Sequence, residues 1–253
     1  MPAARRALAV SAALVAVLGS APTLATAAPT LLQAPISTVG PHLVGPHGGG
    51  IANSTSGNWS GYAATGGTFT SVSASWVQPT GTCTSATTYS SFWVGIDGDG
   101  SNSVEQTGSE VDCSSGSPQY YSWYEMYPAY PVNFSDTVRP GDHFTASVTT
   151  NGSGSFTLKL SDTTRGWSHT VNKTLKNAAL ASAEVIAEAP SSNTGTLPLT
   201  RFGTVNFTAA SANGQPIGNF SPDNITMATG STTKATTSGL SGGNAFSVTW
   251  KHS

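Results

Sequence analysis

The stretch Trp93-Val94-Gly95-Ile96-Asp97 ends a run, Tyr89–Ile96, whose side chains alternate in character. In an extended chain, successive side chains point to opposite faces. Val94 and Ile96 therefore share one face, and Trp93 and Asp97 share the other. The glycine-rich Asp97-Gly98-Asp99-Gly100-Ser101 that follows reads as a hairpin turn between two strands. It also resembles the start of a calcium loop, but the sixth and twelfth positions of that loop need Gly and an acid. Here they are Asn102 and Gly108.

The same texture continues outward from Asn58. Strands are expected near Trp59–Ala63, Thr68–Val77, Val104–Gly108, Tyr120–Tyr127, Phe144–Thr149, Ser155–Leu160, Trp167–Lys173, Arg201–Phe207, Ile225–Ala228 and Ala245–Lys251. The Ala-rich stretch Leu175–Ala187 is the one helix-like segment. Its second half alternates, so Ala183–Glu188 is read as a strand. Many short alternating runs between Gly, Pro, Asn and Asp turns indicate an all-β sandwich or barrel.

Alternation also sorts the chemistry by face. Glu125 shares a face with Trp123 and Tyr127. Glu184, Ile186 and Glu188 share another, and Gln106 faces away from Glu105. Several strands thus present acids, amides and aromatic rings on one side, which suits a groove for an extended polymer.

The N-terminus has a different character. Arg5 and Arg6 precede an apolar run from Ala7 to about Leu18, and Ala25-Thr26-Ala27 follows. This is the pattern of a secretory signal peptide over residues 1–27. A transmembrane helix needs about 20 apolar residues, more than this run supplies. Residues 28–57 are rich in Pro, Gly and His and read as a flexible segment or short propeptide. Residues 58–253 form the β domain. A secreted, extracellular, monomeric protein with no membrane contact is the expectation. An exported pair of cysteines is read first as a disulfide, here Cys83 with Cys113.

Charged residues make up 9% of the chain, against about 25% in ordinary soluble domains. Removing Arg5 and Arg6 from the 10 basic residues leaves them outnumbered by 12 acidic ones. No basic patch points to nucleic acid. Few ionisable groups also means little self-repulsion in acid.

The common catalytic motifs are absent. There is no Gly-x-Ser-x-Gly elbow, no Asp-Thr/Ser-Gly, no His-Glu-x-x-His and no Walker loop. His143, His169 and His252 read as surface residues, which argues against a Ser/His/Asp enzyme. No metal or cofactor is expected.

Five segments remain: Asn58-Trp59-Ser60-Gly61, Trp93-Val94-Gly95-Ile96-Asp97-Gly98-Asp99, Gln106-Thr107-Gly108, Trp123-Tyr124-Glu125-Met126-Tyr127-Pro128 and Ala183-Glu184-Val185-Ile186-Ala187-Glu188. In this order and spacing the chain resembles the glutamic peptidase (eqolisin) family, over roughly Asn58 to Phe207. The resemblance implies an antiparallel β-sandwich of the concanavalin A-like lectin/glucanase type. Its two large sheets hold an extended polypeptide in a concave groove. It also implies an acid endopeptidase with Glu188 and Gln106 as the catalytic pair and Trp93, Asp97 and Glu125 lining the groove. Fungal members carry Asp where this chain has Glu110, and the Asp that follows the catalytic glutamate is Ala189 here. The long Lys-rich propeptide is missing, since residues 28–57 contain no Lys.

The pair suits peptide hydrolysis in acid. A carboxylate can take a proton from water, and an amide N–H can stabilise the oxyanion. An imidazole base would be protonated at pH 3–4, whereas a glutamate of ordinary pKa, about 4.3, stays partly ionised. Glu184 is a rival to Glu188 on the same face. Two other functions fit such a face: a glycan hydrolase using Glu125 and Glu188, and a lectin-like binding module.

Overall fold

The computed structural model describes residues 53–192 and 195–253. The expected signal peptide lies outside the described residues, as does most of the segment after it. The first half of the described chain forms β1 (Asn53–Ser56), β2 (Trp59–Ala64), β3 (Ser71–Val77), β4 (Thr88–Ile96), β5 (Val104–Ser114), β6 (Ser117–Tyr127), β7 (Val132–Asn133), β8 (His143–Thr150), β9 (Ser155–Asp162) and β10 (Trp167–Thr174). The second half forms β11 (Ala183–Glu188), β12 (Ser191–Ser192), β13 (Gly195–Thr196), β14 (Thr204–Ala212), β15 (Gln215–Pro216), β16 (Asp223–Thr229), β17 (Thr232–Thr237) and β18 (Phe246–Trp250). A single 3₁₀ turn, Ile217–Phe220, is the only helical element among the described residues.

Hydrogen bonds run along the path β10-β9-β8-β3-β14-β18-β17-β16-β2-β11-β4-β5-β6-β7. The path folds over on itself, so its two ends stack as the layers of a sandwich. Val148, Leu158 and Leu160 from one layer share a core with Phe92, Val94 and Val185 from the other. Burying a side chain of this size contributes roughly 1.5–3 kcal/mol. A polar tie crosses the layers: the Trp76 indole N–H donates to Ser109 Oγ at 2.8 Å. Its burial makes that bond costly to leave unmade.

Alternation predicts this packing strand by strand. In β8 the inward Phe144, Ala146 and Val148 are buried, while His143 and Thr145 are exposed. The expected strand Ala183–Glu188 forms with those limits, so alternation outweighs the helix propensity of its alanines. β5 runs six residues beyond the expected Gly108. Its continuation carries Glu110 and Asp112, which are buried but do not read as core residues. β14 extends beyond Phe207 to Ala212 through an irregularity between Thr208 and Ser211, with Ala209 at φ 51. β1 and β17 are built from Asn-Ser-Thr-Ser and Thr-Thr-Lys-Ala-Thr-Thr, which offer no apolar alternation to read. β1 pairs in parallel with β16, so the chain is already in the sheet at Asn53.

Cys83 and Cys113 form a disulfide across a sequence separation of 30. It encloses β4 and most of β5, the strands that carry Trp93 and Gln106. A loop of that length is worth about 3–4 kcal/mol in the chain-entropy model. The double substitution Cys83→Ala/Cys113→Ala should lower the unfolding free energy by about 2–4 kcal/mol in denaturant titration; an unchanged midpoint would rule out this role.

Candidate active site

The strands β2-β11-β4-β5-β6 lie side by side, and their registers set out three rows on one face. The first runs Glu184, Gly95, Gln106, Glu125. The second runs Ile186, Trp93, Gly108, Trp123. The third runs Glu188, Ser91, Glu110, Tyr121. Trp59 extends the third row as the partner of Glu188 on β2. This face is opposite the main core. It has its own smaller apolar cluster, which includes Trp59, Trp93, Trp123 and Ile186.

Two glycines make room for the Trp93 ring. A Cβ on Gly95 would lie 2.9 Å from the Trp93 indole, and one on Gly108 would lie 2.6 Å from Trp93 Cβ. Lying in that slot, Trp93 packs edge-on against Trp59 with ring centroids 5.0 Å apart. Its indole N–H then donates to Glu188 Oε2 at 2.8 Å. The other Glu188 oxygen accepts from Asn58 Nδ2 at 3.1 Å. Asn58 is held in turn, because its carbonyl accepts the Ala189 N–H at 2.8 Å and its own N–H donates to Ser56 Oγ. Asn58 stands in a segment singled out from the sequence, yet nothing there signals that it holds the carboxylate.

In the first row, Gln106 Nε2 donates to Glu125 Oε2 at 2.6 Å. Burial holds the Glu125 carboxyl well above the usual carboxylate range, and the charge of Glu188 raises it further. Glu188 and the Gln106–Glu125 pair thus share one face and one electrostatic field, although Glu188 is in register with Glu110 rather than with Gln106. Glu184 is in register with Gln106 but is occupied elsewhere. It is fully buried, raised chiefly by desolvation, with Ser182 as a hydrogen-bond partner and Asp97 and Asp99 as its nearby charges.

Asp97 stands apart from this group. Its oxygens accept the N–H groups of Leu180 and Ala181 at 3.0 and 2.8 Å. It adopts φ 67, one of the few positive values outside glycine. The carboxylate therefore fastens the approach to β11 onto the end of β4.

Glu110 and Asp112 form a second carboxyl pair, two residues apart on β5. The Tyr121 hydroxyl donates to Asp112 Oδ2. Burial raises both acids, and the charge of Asp112 adds to the rise at Glu110. On the opposite face of β5, Glu105 is pushed up to about 8 by desolvation and by Asp97.

Five buried carboxyls, Glu105, Glu110, Asp112, Glu125 and Glu184, are thus raised together. In the unfolded chain these groups release their protons near pH 4. Between that point and their higher folded values the native state holds more protons, so stability falls as pH rises. The melting temperature should be highest at or below about pH 4 and decline toward pH 8. A melting temperature that climbs over that interval would contradict this account.

A family model described as the Peptidase A4 family matches residues 57–250. Aspergillopepsin-2 of Aspergillus niger is 35% identical over 123 residues, 47% of this chain and 44% of its own length. The chain therefore spans less than half of that relative. A crystal structure of scytalido-glutamic peptidase with a transition state analog inhibitor superimposes with a TM-score of 0.64 at 26% identity, covering 77% of this chain and 98% of that one. Aspergilloglutamic peptidase from Aspergillus niger superimposes at 0.57 and 27% identity, covering 64% of this chain and 99% of its own. The fold, the ordered motifs and the matched span together place the chain in the Peptidase A4 (eqolisin) family of glutamic peptidases.

Proposed function

We propose that this chain is a secreted acid endopeptidase that hydrolyses extended polypeptides with Glu188, Gln106 and an activated water. Export follows the leader read at residues 1–27 and agrees with the Cys83–Cys113 bridge. The observation that carries the chemistry is the grouping of Glu188, Trp93, Gln106 and Glu125 on one face of a peptidase-family sandwich.

Glu188 acts first as general base. Two neutral donors, the Trp93 indole and the Asn58 amide, favour its charged form without adding a titrating group. The proton it takes from water passes to the leaving amine. A general base of this kind contributes roughly 10²–10⁴-fold. Gln106 supplies the N–H that meets the developing oxyanion, worth roughly 2.7–4 kcal/mol.

Glu125 orients that amide. Its raised pKa keeps it neutral in acid, where its hydroxyl is a donor. Turned about its terminal torsion, Gln106 accepts that proton through Oε1 and presents Nε2 to the substrate. Ionisation of Glu125 reverses the arrangement and draws Nε2 back. The raised Glu125 therefore ties amide orientation to the acid side of the pH scale.

Casein digestion at pH 3–5 in the presence of pepstatin tests the activity. Glu188→Gln should abolish cleavage while keeping the fold, and wild-type rates in that variant would remove the mechanism. Gln106→Ala should lose roughly 10²–10³-fold in kcat. Glu125→Gln carries a permanent N–H donor, so it should keep most activity and shift the high-pH limb of the profile. An unmoved limb would remove the orienting role.

A further inference from the structure

Where β4 ends, the ionisable groups that act on one another are all acids: Asp97, Asp99, Glu105 and Glu184. Asp97 ties two segments together. Its oxygens accept the Leu180 and Ala181 N–H groups at 3.0 and 2.8 Å, and its own N–H donates to the Ser182 carbonyl at 3.0 Å. The Asp99 N–H adds a bond to Ser182 Oγ at 3.2 Å. These contacts fasten the turn after β4 to the residues that lead into β11, the strand of Glu184 and Glu188.

Glu105 bears on this tie. It is fully buried, and neither of its carboxyl oxygens makes a hydrogen bond of normal geometry. Its register partners are Ile96 on β4 and Met126 on β6, neither of which can solvate a charge. Ser103 and Asp97 are the polar groups beside it, and the charge that acts on it is that of Asp97. Such a carboxyl is tolerated while protonated. Ionised, it is costly, because water is excluded and the neighbouring charge has the same sign. Burial and Asp97 accordingly push it up to about 8. Gly98 links the turn to the groove: a Cβ there would lie 2.8 Å from the Trp59 indole, the ring that packs on Trp93.

We propose that Asp97, Glu105 and residues 180–182 form a pH-operated latch, which holds the entry to β11 while Glu105 is protonated and releases it when that carboxyl ionises beside Asp97. In the open form Glu105 meets water and gives up its proton near pH 4. The closed form keeps the proton up to about pH 8. Closure is therefore strongest below about pH 4, weakens as pH rises toward 8 and changes little beyond that. The latch does not depend on the chemistry of Glu188. Its consequence for cleavage rests on the peptidase reading: release of the turn slackens Trp59, and with it the Trp93 indole that donates to Glu188.

The test uses the full chain in a Glu188→Gln background, so turnover does not enter. Amide hydrogen exchange is read residue by residue by NMR and divided by the intrinsic rate at each pH to give protection. Protection of Leu180 and Ala181 should fall roughly ten-fold or more between pH 5 and pH 8 and level off by pH 9. It should also stay below that of Val148 and Leu158 in the core, the mark of a local opening. Glu105→Gln cannot ionise, so its protection at pH 8 should match that at pH 5. Glu105→Met, a second neutral side chain suited to the contact with Ile96 and Met126, should behave alike. A fall that persists in either folded variant, or no fall in the parent, would overturn the latch. Equal protection at all four amides would do the same, since the entry would then open only with the whole fold. Melting curves report whether each variant is folded, and the parent readings stand without them. None of these readings depends on whether Glu188 cleaves peptides.

Discussion

A carboxylate taken out of water needs donors, and Glu188 receives two that the sheet itself fixes. Asn58 and Trp93 approach from opposite sides, one before β2 and one on β4. Neither donor titrates in the acid range. The rest of the groove is arranged around this fact. Glycines at 95 and 108 clear the space that lets the indole lie down, and Trp59 keeps it there. Since the ring is packed by the sheet, the position of the carboxylate depends on backbone geometry more than on flexible side-chain contacts.

The groove is also unusual in how many acids it hides. Ordinary sandwiches put charged side chains in water and keep the inner face apolar. Here the face opposite the core is polar yet largely buried, and burial raises the carboxyls of Glu110, Asp112, Glu125 and Glu184 above the usual carboxylate range. Such groups behave as hydrogen-bonding amides do at low pH and as liabilities when they ionise. Raised carboxyls of this kind favour the folded state at low pH over neutral pH. The low overall charge works in the same direction, because little repulsion accumulates when the remaining surface carboxylates are protonated.

Much of this was legible in the chain because strand alternation is local. The paired residues Val94 and Ile96, set against Trp93, showed which side of β4 faced the core. The same parity put Gln106, Glu125 and Glu188 on faces that the registers then brought together. Register itself was not legible, since it depends on which strands become neighbours. That is why the alignment of Glu188 with Glu110, and of Gln106 with Glu184, emerges only from the fold. The role of Asn58 was hidden for a similar reason, as its partner lies 130 residues away. Buried acids masked the second half of β5, because Glu110 and Asp112 look like surface residues when read singly. Asp97 carries a comparable ambiguity: a carboxylate in a family motif, used here to tie down backbone N–H groups.

The parallel seam between β1 and β16 places a mechanical anchor just upstream of Asn58, which holds the Glu188 carboxylate. Ser56 ends that seam and caps the turn into Asn58 and Trp59 through their N–H groups. Chain trimming that stops short of Asn53 leaves the anchor whole. Trimming that enters it would slacken Asn58, and Glu188 would lose a donor without any change to the groove's own strands.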